Sequence, residues 1–363
     1  MTALTPLENL LKRRLAEAPI TVADYMRLAL GHPEHGYYRT RDPLGAADFV
    51  TAPEVSQMFG ELLGFWCAHL WALIGQPKPV RLVELGPGRG TLMADALRAV
   101  KNVVPTFYQA VEIHLVETSP VLRARQRRAL DGQNVTWHDD LETVPDGPLL
   151  LIANEFLDAL PIHQLVKEGG EWYERQVMLS AEEGGFTFGR SETPSALARL
   201  LSPLVSNAPD GTIAEVSPDA RSVSTAIARR IKRSGGAAVL VDYGYSRPAT
   251  GDSLQAIRGH KFHPVLTRPG EADLTAHVDF SAVVAAASLE GVEVHGPVEQ
   301  GLFLERLGIH ERADRLTRDT DTVTSIGILD GLARLTAQDR MGSLFKVVAF
   351  GPRGLKPLPG FVR

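Results

Sequence analysis

Cysteine is almost missing from this chain: Cys67 is its single example in 363 residues. One thiol excludes an internal disulfide and a thiolate metal cluster, and it fits a reducing compartment. Long apolar runs are missing too. No stretch reaches the roughly 18 residues that a bilayer-spanning helix needs. An apolar secretory core is lacking at the N-terminus. Leu7–Leu15 has an amphipathic pattern with Lys12, Arg13 and Arg14, but Glu8 and Glu17 argue against a transit peptide, which is poor in acids. A docking helix and a cytoplasmic protein are the expectation. The third absence is a basic excess. Lys+Arg number 38 against 43 Asp+Glu, which is not the footprint of a non-specific nucleic-acid binder. What the chain does have is 44% hydrophobic residues, enough for a substantial core and too many for global disorder. The length suits one large α/β domain with insertions, or two domains.

The chain is organised around Val83-Glu84-Leu85-Gly86-Pro87-Gly88-Arg89-Gly90. An apolar run precedes it and a helical pattern, Thr91 to Val100, follows. Strand, glycine turn and helix make a nucleotide-type pocket at the carboxyl ends of an open sheet. Glycine lets the backbone turn sharply and approach a ligand that a Cβ would push away. The spacing is G-x-G-x-G, so the third glycine falls one place early for the dinucleotide fingerprint. Glu84 would crowd a pyrophosphate. It would favour a ligand with an ammonium group, as S-adenosylmethionine has. A solvated glutamate beside a structural turn is the bland alternative.

The same pattern predicts the rest of the sheet. A second strand, Glu112 to Glu117, ends in an acid placed to accept both ribose hydroxyls of an adenosine; Ser119 is a better cap than Glu117 for the helix that follows. A third strand, Asn134 to His138, leads into Asp139, Asp140 and Leu141. One of these acids is placed to accept an adenine amine with Leu141 against the ring, unless both are solvated turn residues. Leu149 to Ala153 is continuously apolar, as expected of a strand buried on both faces. It runs into Asn154-Glu155-Phe156-Leu157-Asp158, where the chemistry should sit. Ile162 to Arg190 alternates around glycine turns and predicts inserted antiparallel strands. A fifth strand, Ala237 to Val241, precedes a polar stretch, Gly251 to Val278, expected to be irregular. Val292 to His295 and Ser343 to Phe350 are the sixth and last strands, with two helices between them.

Four blocks together resemble the MidA-type class I methyltransferases: the glycine turn, Val116-Glu117-Thr118-Ser119-Pro120, Asn154 to Pro161, and Asp273-Leu274-Thr275-Ala276-His277-Val278-Asp279-Phe280. Asp48 to Phe59, Asp242 to Tyr245 and Phe345-Lys346-Val347 extend the likeness to about residues 20–350. Ala47 stands where the family has glycine, and Leu157 where phenylalanine is common. The resemblance implies a seven-stranded, mostly parallel Rossmann-like sheet with an antiparallel last strand, S-adenosyl-L-methionine as cofactor and a protein substrate. A mitochondrial member of that family is a complex I assembly factor that methylates an arginine. The implied organisation is an N-terminal helical or lid region (1–75), a cofactor-binding half (76–160), an inserted β/helical segment (161–235), and the remaining core with a substrate-side loop at 246–278 (236–363).

The cofactor is then expected on Glu84, Gly86, Pro87, Gly88, Gly90, Glu117, Asp139, Asp140, Leu141 and Asn154. Arginine is a poor nucleophile because its guanidinium stays protonated. Glu155, with Asp158 three residues on in a helical turn, would grip that cation, and Asn154 would orient substrate or cofactor. His277 is the candidate general base, with Asp273 beside it. No metal is expected at His260, His263 and His277, nor at His32 and His35. Two other classes stay open: a non-catalytic assembly chaperone that binds the cofactor, and a nucleotide-cofactor oxidoreductase, which Glu84 and the glycine spacing disfavour.

Overall fold

Seven strands make up the main path of the principal sheet, most of them runs of apolar or β-branched residues: β1 (Val80–Leu85), β2 (Val111–Val116), β3 (Val135–His138), β4 (Leu149–Asn154), β5 (Gly236–Tyr245), β6 (Glu293–Glu299) and β7 (Phe345–Gly351). Their path is β3-β2-β1-β4-β5-β7-β6. The strands β3 to β5 along it are parallel. β7 runs antiparallel to both β5 and β6, as expected for the class I methyltransferase fold. The structure, a computed structural model, describes residues 4–40, 50–181, 184–318, 320–355 and 358–362. Asp48 and Phe49, which open one of the family-like blocks, and Ala47 before them lie outside these residues.

The chain forms two compact units. One comprises the described residues of Val50–Leu157, Val223–Gly244 and Val283–Arg363, and holds the sheet core. β4 lies between β1 and β5, and Leu149, Leu150, Leu151 and Ile152 are fully buried. That double burial is why its sequence is a continuous apolar run rather than an alternating one. The helix Gln57–Leu73 begins on Ser56, whose side chain accepts from Met58 N. It lies close against the helix Thr91–Val103: a Cβ on Gly64 would stand 2.8 Å from Ala96 Cα. β6 is longer than expected, continuing past an irregularity between His295 and Val298 to Glu299. Pro297 is tolerated there because β6 is the edge strand. Between β6 and β7 the described residues form four helices rather than two: Gln300–Arg306, Ile309–Thr317, Thr322–Thr336 and Met341–Leu344.

The other unit comprises the described residues of Met1–Phe49, Asp158–Ser222 and Tyr245–Ala282. The helix Pro6–Glu17 starts on a capping box between Thr5 and Glu8. Leu7, Leu11 and Leu15 recur every four residues and are buried in a cluster with Ile20, Tyr25 and Val177. The expected docking helix therefore docks within its own unit. The inserted strands His163–Glu168, Glu171–Leu179 and Phe186–Pro194 form an antiparallel meander, completed by Ile213–Val216 and Ile20–Thr21.

The stretch expected to be irregular is instead partly a sheet. Gln255–Arg258 pairs antiparallel with both Lys261–His263 and Asp273–Thr275. Its hairpin turn uses Gly259 and His260, with φ of 57° and 60°. A two-residue turn with both residues left-handed matches the twist of the strands. Histidine is not the residue that advertises such a turn, so the hairpin was hidden.

Candidate cofactor site and substrate-side residues

The glycine turn follows β1. Gly86 N–H donates to Val116 O at 3.1 Å and Gly90 N–H to Pro87 O at 2.7 Å, so the turn is tied to β2 and closed on itself. Gly86, Gly88 and Gly90 have φ of 60°, 53° and 86°, in the region that favours glycine. The space in front of Gly86 meets the ring of Phe156, whose Cδ2 would lie 2.9 Å from a Cβ there. Arg89, in the second gap, and Thr91, just after the last glycine, both reach Glu54. The Thr91 hydroxyl donates to Glu54 Oε1 at 2.5 Å, and Arg89 Nη1 lies 3.7 Å from Oε2.

Glu84 is 3% exposed on β1, and its Oε2 has no hydrogen-bond partner among the described residues. Burial pushes its carboxyl up to a pKa of about 8. A buried acid with an orphaned oxygen at the end of a central strand is costly unless a ligand completes it. Asn154, at the end of β4, repeats the situation: its amide oxygen is buried without a partner among the described residues, while Nδ2 donates to Glu155 Oε1 at 3.1 Å. An acceptor of each kind thus waits at the carboxyl ends of adjacent strands.

Glu117 follows β2 and is buried. Its Oε1 accepts from Ser119 N–H at 2.7 Å and its Oε2 from Gln126 Nε2 at 3.2 Å. Ser119 caps the helix Pro120–Ala129, with Oγ accepting from Leu122 N–H. Glu117 satisfies the cap residue's own N–H, so it helps to fix the helix start without being its cap. Burial raises the Glu117 carboxyl, opposed by these donors.

The two acids after β3 have local partners. Asp139 is 78% exposed and pairs with Arg123 at 2.8 Å. Asp140 caps the short turn Leu141–Thr143, its Oδ1 accepting from Thr143 N–H at 2.9 Å. Leu141 is buried, and its carbonyl accepts from Arg230 Nη1 at 2.7 Å.

The Asn154–Asp158 segment departs from expectation. It makes no helical turn, and the next element is the strand His163–Glu168, so there is no helix for its acids to cap. Glu155 adopts φ of 50°. The reason is long-range: Asp242 Oδ2 accepts from Phe156 N–H at 3.1 Å and Leu157 N–H at 2.8 Å. Glu155 N–H donates to Val241 O at 2.9 Å. Glu155 Oε1 accepts from Ala52 N–H at 2.9 Å. Spacing alone therefore does not make Glu155 and Asp158 a clamp, and the chain passes from one unit to the other at Leu157 and Asp158.

Asp158 and His277 belong with Tyr38 and Asp273 in the second unit. Asp158 and Asp273 are buried; the Tyr38 hydroxyl donates to Asp273 Oδ1 at 2.7 Å, and Asp158 O accepts from Ala276 N–H at 3.0 Å. Both carboxylates, after burial, raise the Tyr38 hydroxyl far above its usual range. The His277 N–H donates to Ser253 Oγ at 2.9 Å, and burial lowers the ring's pKa. Sequence reasoning missed Gln126, Asp242, Glu54 and Tyr38. Of these, Glu54 and Asp242 left a signal, since they lie within the family-like blocks Asp48 to Phe59 and Asp242 to Tyr245.

A family model described as S-adenosyl-L-methionine-dependent methyltransferase matches residues 62–298. The protein arginine methyltransferase NDUFAF7 homolog, mitochondrial, of Drosophila melanogaster is 38% identical over 93% of this chain and 83% of its own length. The mitochondrial protein arginine methyltransferase NDUFAF7 of Homo sapiens is 34% identical, covering 96% of this chain and 84% of that protein. The crystal structure of a COG1565 superfamily member from Burkholderia thailandensis, bound to S-adenosyl-homocysteine, matches with a TM-score of 0.85 and 29% identity. That match covers 98% of this chain and 94% of the other. The orphaned acceptors on Glu84 and Asn154 suit the cofactor that this family uses. The chain belongs to the S-adenosyl-L-methionine-dependent methyltransferase family and is an enzyme of the class I fold.

Proposed function

We propose that this enzyme methylates an arginine side chain of a protein, a subunit of respiratory complex I (NADH dehydrogenase), and that it works in the cytoplasm. The observation that carries the reading is the similarity, along nearly the whole chain, to proteins named as arginine methyltransferases. When bound, S-adenosylmethionine supplies a methyl group already activated by its sulfonium, so the protein's task is positioning and electrostatics.

A guanidinium stays protonated and is a weak nucleophile. A carboxylate about 4 Å from it contributes roughly 4 kcal/mol at an effective dielectric near 20. Glu155 supplies that charge just beyond β4, its orientation set by Ala52 N–H and Asn154 Nδ2. Asn154, whose oxygen has no partner among the described residues, orients an N–H donor beside it. His277 is lowered by burial, which keeps its ring neutral and able to accept a proton.

Methyl-labelled cofactor incubated with the enzyme and a cell lysate tests this reading. The expected product is labelled methylarginine in an acid hydrolysate, concentrated in a complex I subunit. Label on lysine or a carboxyl group, or no transfer, contradicts arginine chemistry; labelled arginine in another protein contradicts the target alone.

A further inference from the structure

Gln126 is fully buried, and each end of its amide is used. Nε2 donates to Gly88 O at 2.7 Å and to Glu117 Oε2 at 3.2 Å, while Oε1 accepts from Trp137 Nε1 at 2.8 Å. An indole N–H only donates, and a carbonyl and a carboxylate only accept. The three partners therefore permit a single orientation of the amide. They come from three places: the glycine turn after β1, the end of β2, and β3. Ser119, Arg123 and Gln126 follow one another at helical spacing. Arg123 adds bonds from Nε to Glu117 O at 2.6 Å and from Nη2 to His138 O at 2.8 Å. This face of the helix Pro120–Ala129 fastens the strand ends on which an adenosine would rest.

We infer that Gln126 is a positioning residue for cofactor recognition, holding the Glu117 carboxylate aimed at the ribose hydroxyls while it fixes the glycine turn. The inference rests on assigning the ribose to Glu117. Each carboxylate oxygen has more than one acceptor direction. With Ser119 N–H on Oε1 and Gln126 Nε2 on Oε2, the group is locked in rotation and still able to accept from a ligand. The amide donor also favours the charged form that ribose recognition needs, against the burial that disfavours it. A glutamate at 126 would keep the shape and the acceptor for Trp137 but set a second acceptor against Gly88 O and Glu117. A methionine would keep the bulk and offer neither bond.

The test uses S-adenosylhomocysteine and its 2′-deoxy analogue, titrated by calorimetry into the parent, Gln126→Met and Gln126→Glu, each first shown to melt cooperatively without ligand. The parent should prefer the ribose ligand by about tenfold, the scale of one bond to a charged group. Both variants should bind that ligand about tenfold more weakly and lose most of the preference. Loosening of the glycine turn would weaken both ligands by a common factor, so the preference isolates the action through Glu117. Variants that keep the parental preference overturn the inference, whatever their overall affinity. A parent with no preference overturns the ribose assignment and the inference with it. A Glu117→Ala control that abolishes the preference separates the two failures, since the assignment then stands even where the role of Gln126 does not. The variant that folds less well is set aside in favour of the other, because either alone decides the question.

Discussion

A Cβ on Gly86 would stand 2.9 Å from Cδ2 of Phe156, so the first glycine of the turn and the aromatic after β4 are packed together. Gly86 also has φ of 60°. Gly86→Ala therefore meets two penalties, roughly 1–2 kcal/mol of left-handed strain and displacement of the ring. The expected outcome is a lower Tm and weaker binding of S-adenosylhomocysteine. Adding Phe156→Ala should recover the steric part in the double variant, measured against Phe156→Ala alone, and leave the strain. An unchanged Tm in Gly86→Ala would show that neither penalty operates.

Glu84 makes a prediction about pH. Burial holds its carboxyl at a pKa of about 8 against an ordinary 4.5. The folded, ligand-free protein keeps a proton that the unfolded chain releases. The stabilising contribution is complete below about 4.5 and is lost as pH rises through about 8. The Tm of the free protein should fall across that window, and Glu84→Gln should flatten the fall. An ammonium ligand favours the ionised carboxylate, so binding S-adenosylhomocysteine near neutral pH should release a proton from this group. Calorimetry in two buffers of different ionisation heat reads that release as the difference between parent and Glu84→Gln. Equal release from both proteins contradicts the ammonium assignment.

The sheet was readable because double burial leaves a plain signature. Leu149 to Ile152 is apolar at every position, and β4 lies between two neighbours. The glycine turn was readable for a related reason, since left-handed backbone at Gly86, Gly88 and Gly90 demands that residue. The segment after β4 was not. Local spacing suggested a helical turn placing Glu155 and Asp158 together, but Asp242, 85 residues from Leu157, takes the backbone donors of the loop. Gln126 was hidden because an isolated glutamine on a basic helix looks like a surface residue until its three partners are known. Asp139 and Asp140 were expected at an adenine amine, with solvated turn acids as the alternative; their pairing with Arg123 and Thr143 was not legible in the local spacing.

The proposed arginine chemistry rests on Glu155. Glu155→Gln keeps the side chain's size and an oxygen for Ala52 N–H and Asn154 Nδ2, the donors that orient Glu155 Oε1. It removes the charge alone. The decisive measurement is paired on this one variant: the Kd of S-adenosylhomocysteine, then the rate of methyl transfer to the labelled protein acceptor. The expected Kd lies within about twofold of the parent, because cofactor binding is assigned to Glu84, Glu117 and the glycine turn. The expected kcat is lower by roughly 10²–10³, the scale for removing one preorganised electrostatic contact. Full turnover with normal binding would contradict the carboxylate grip on the guanidinium, and a lost Kd would make Glu155 a cofactor residue instead.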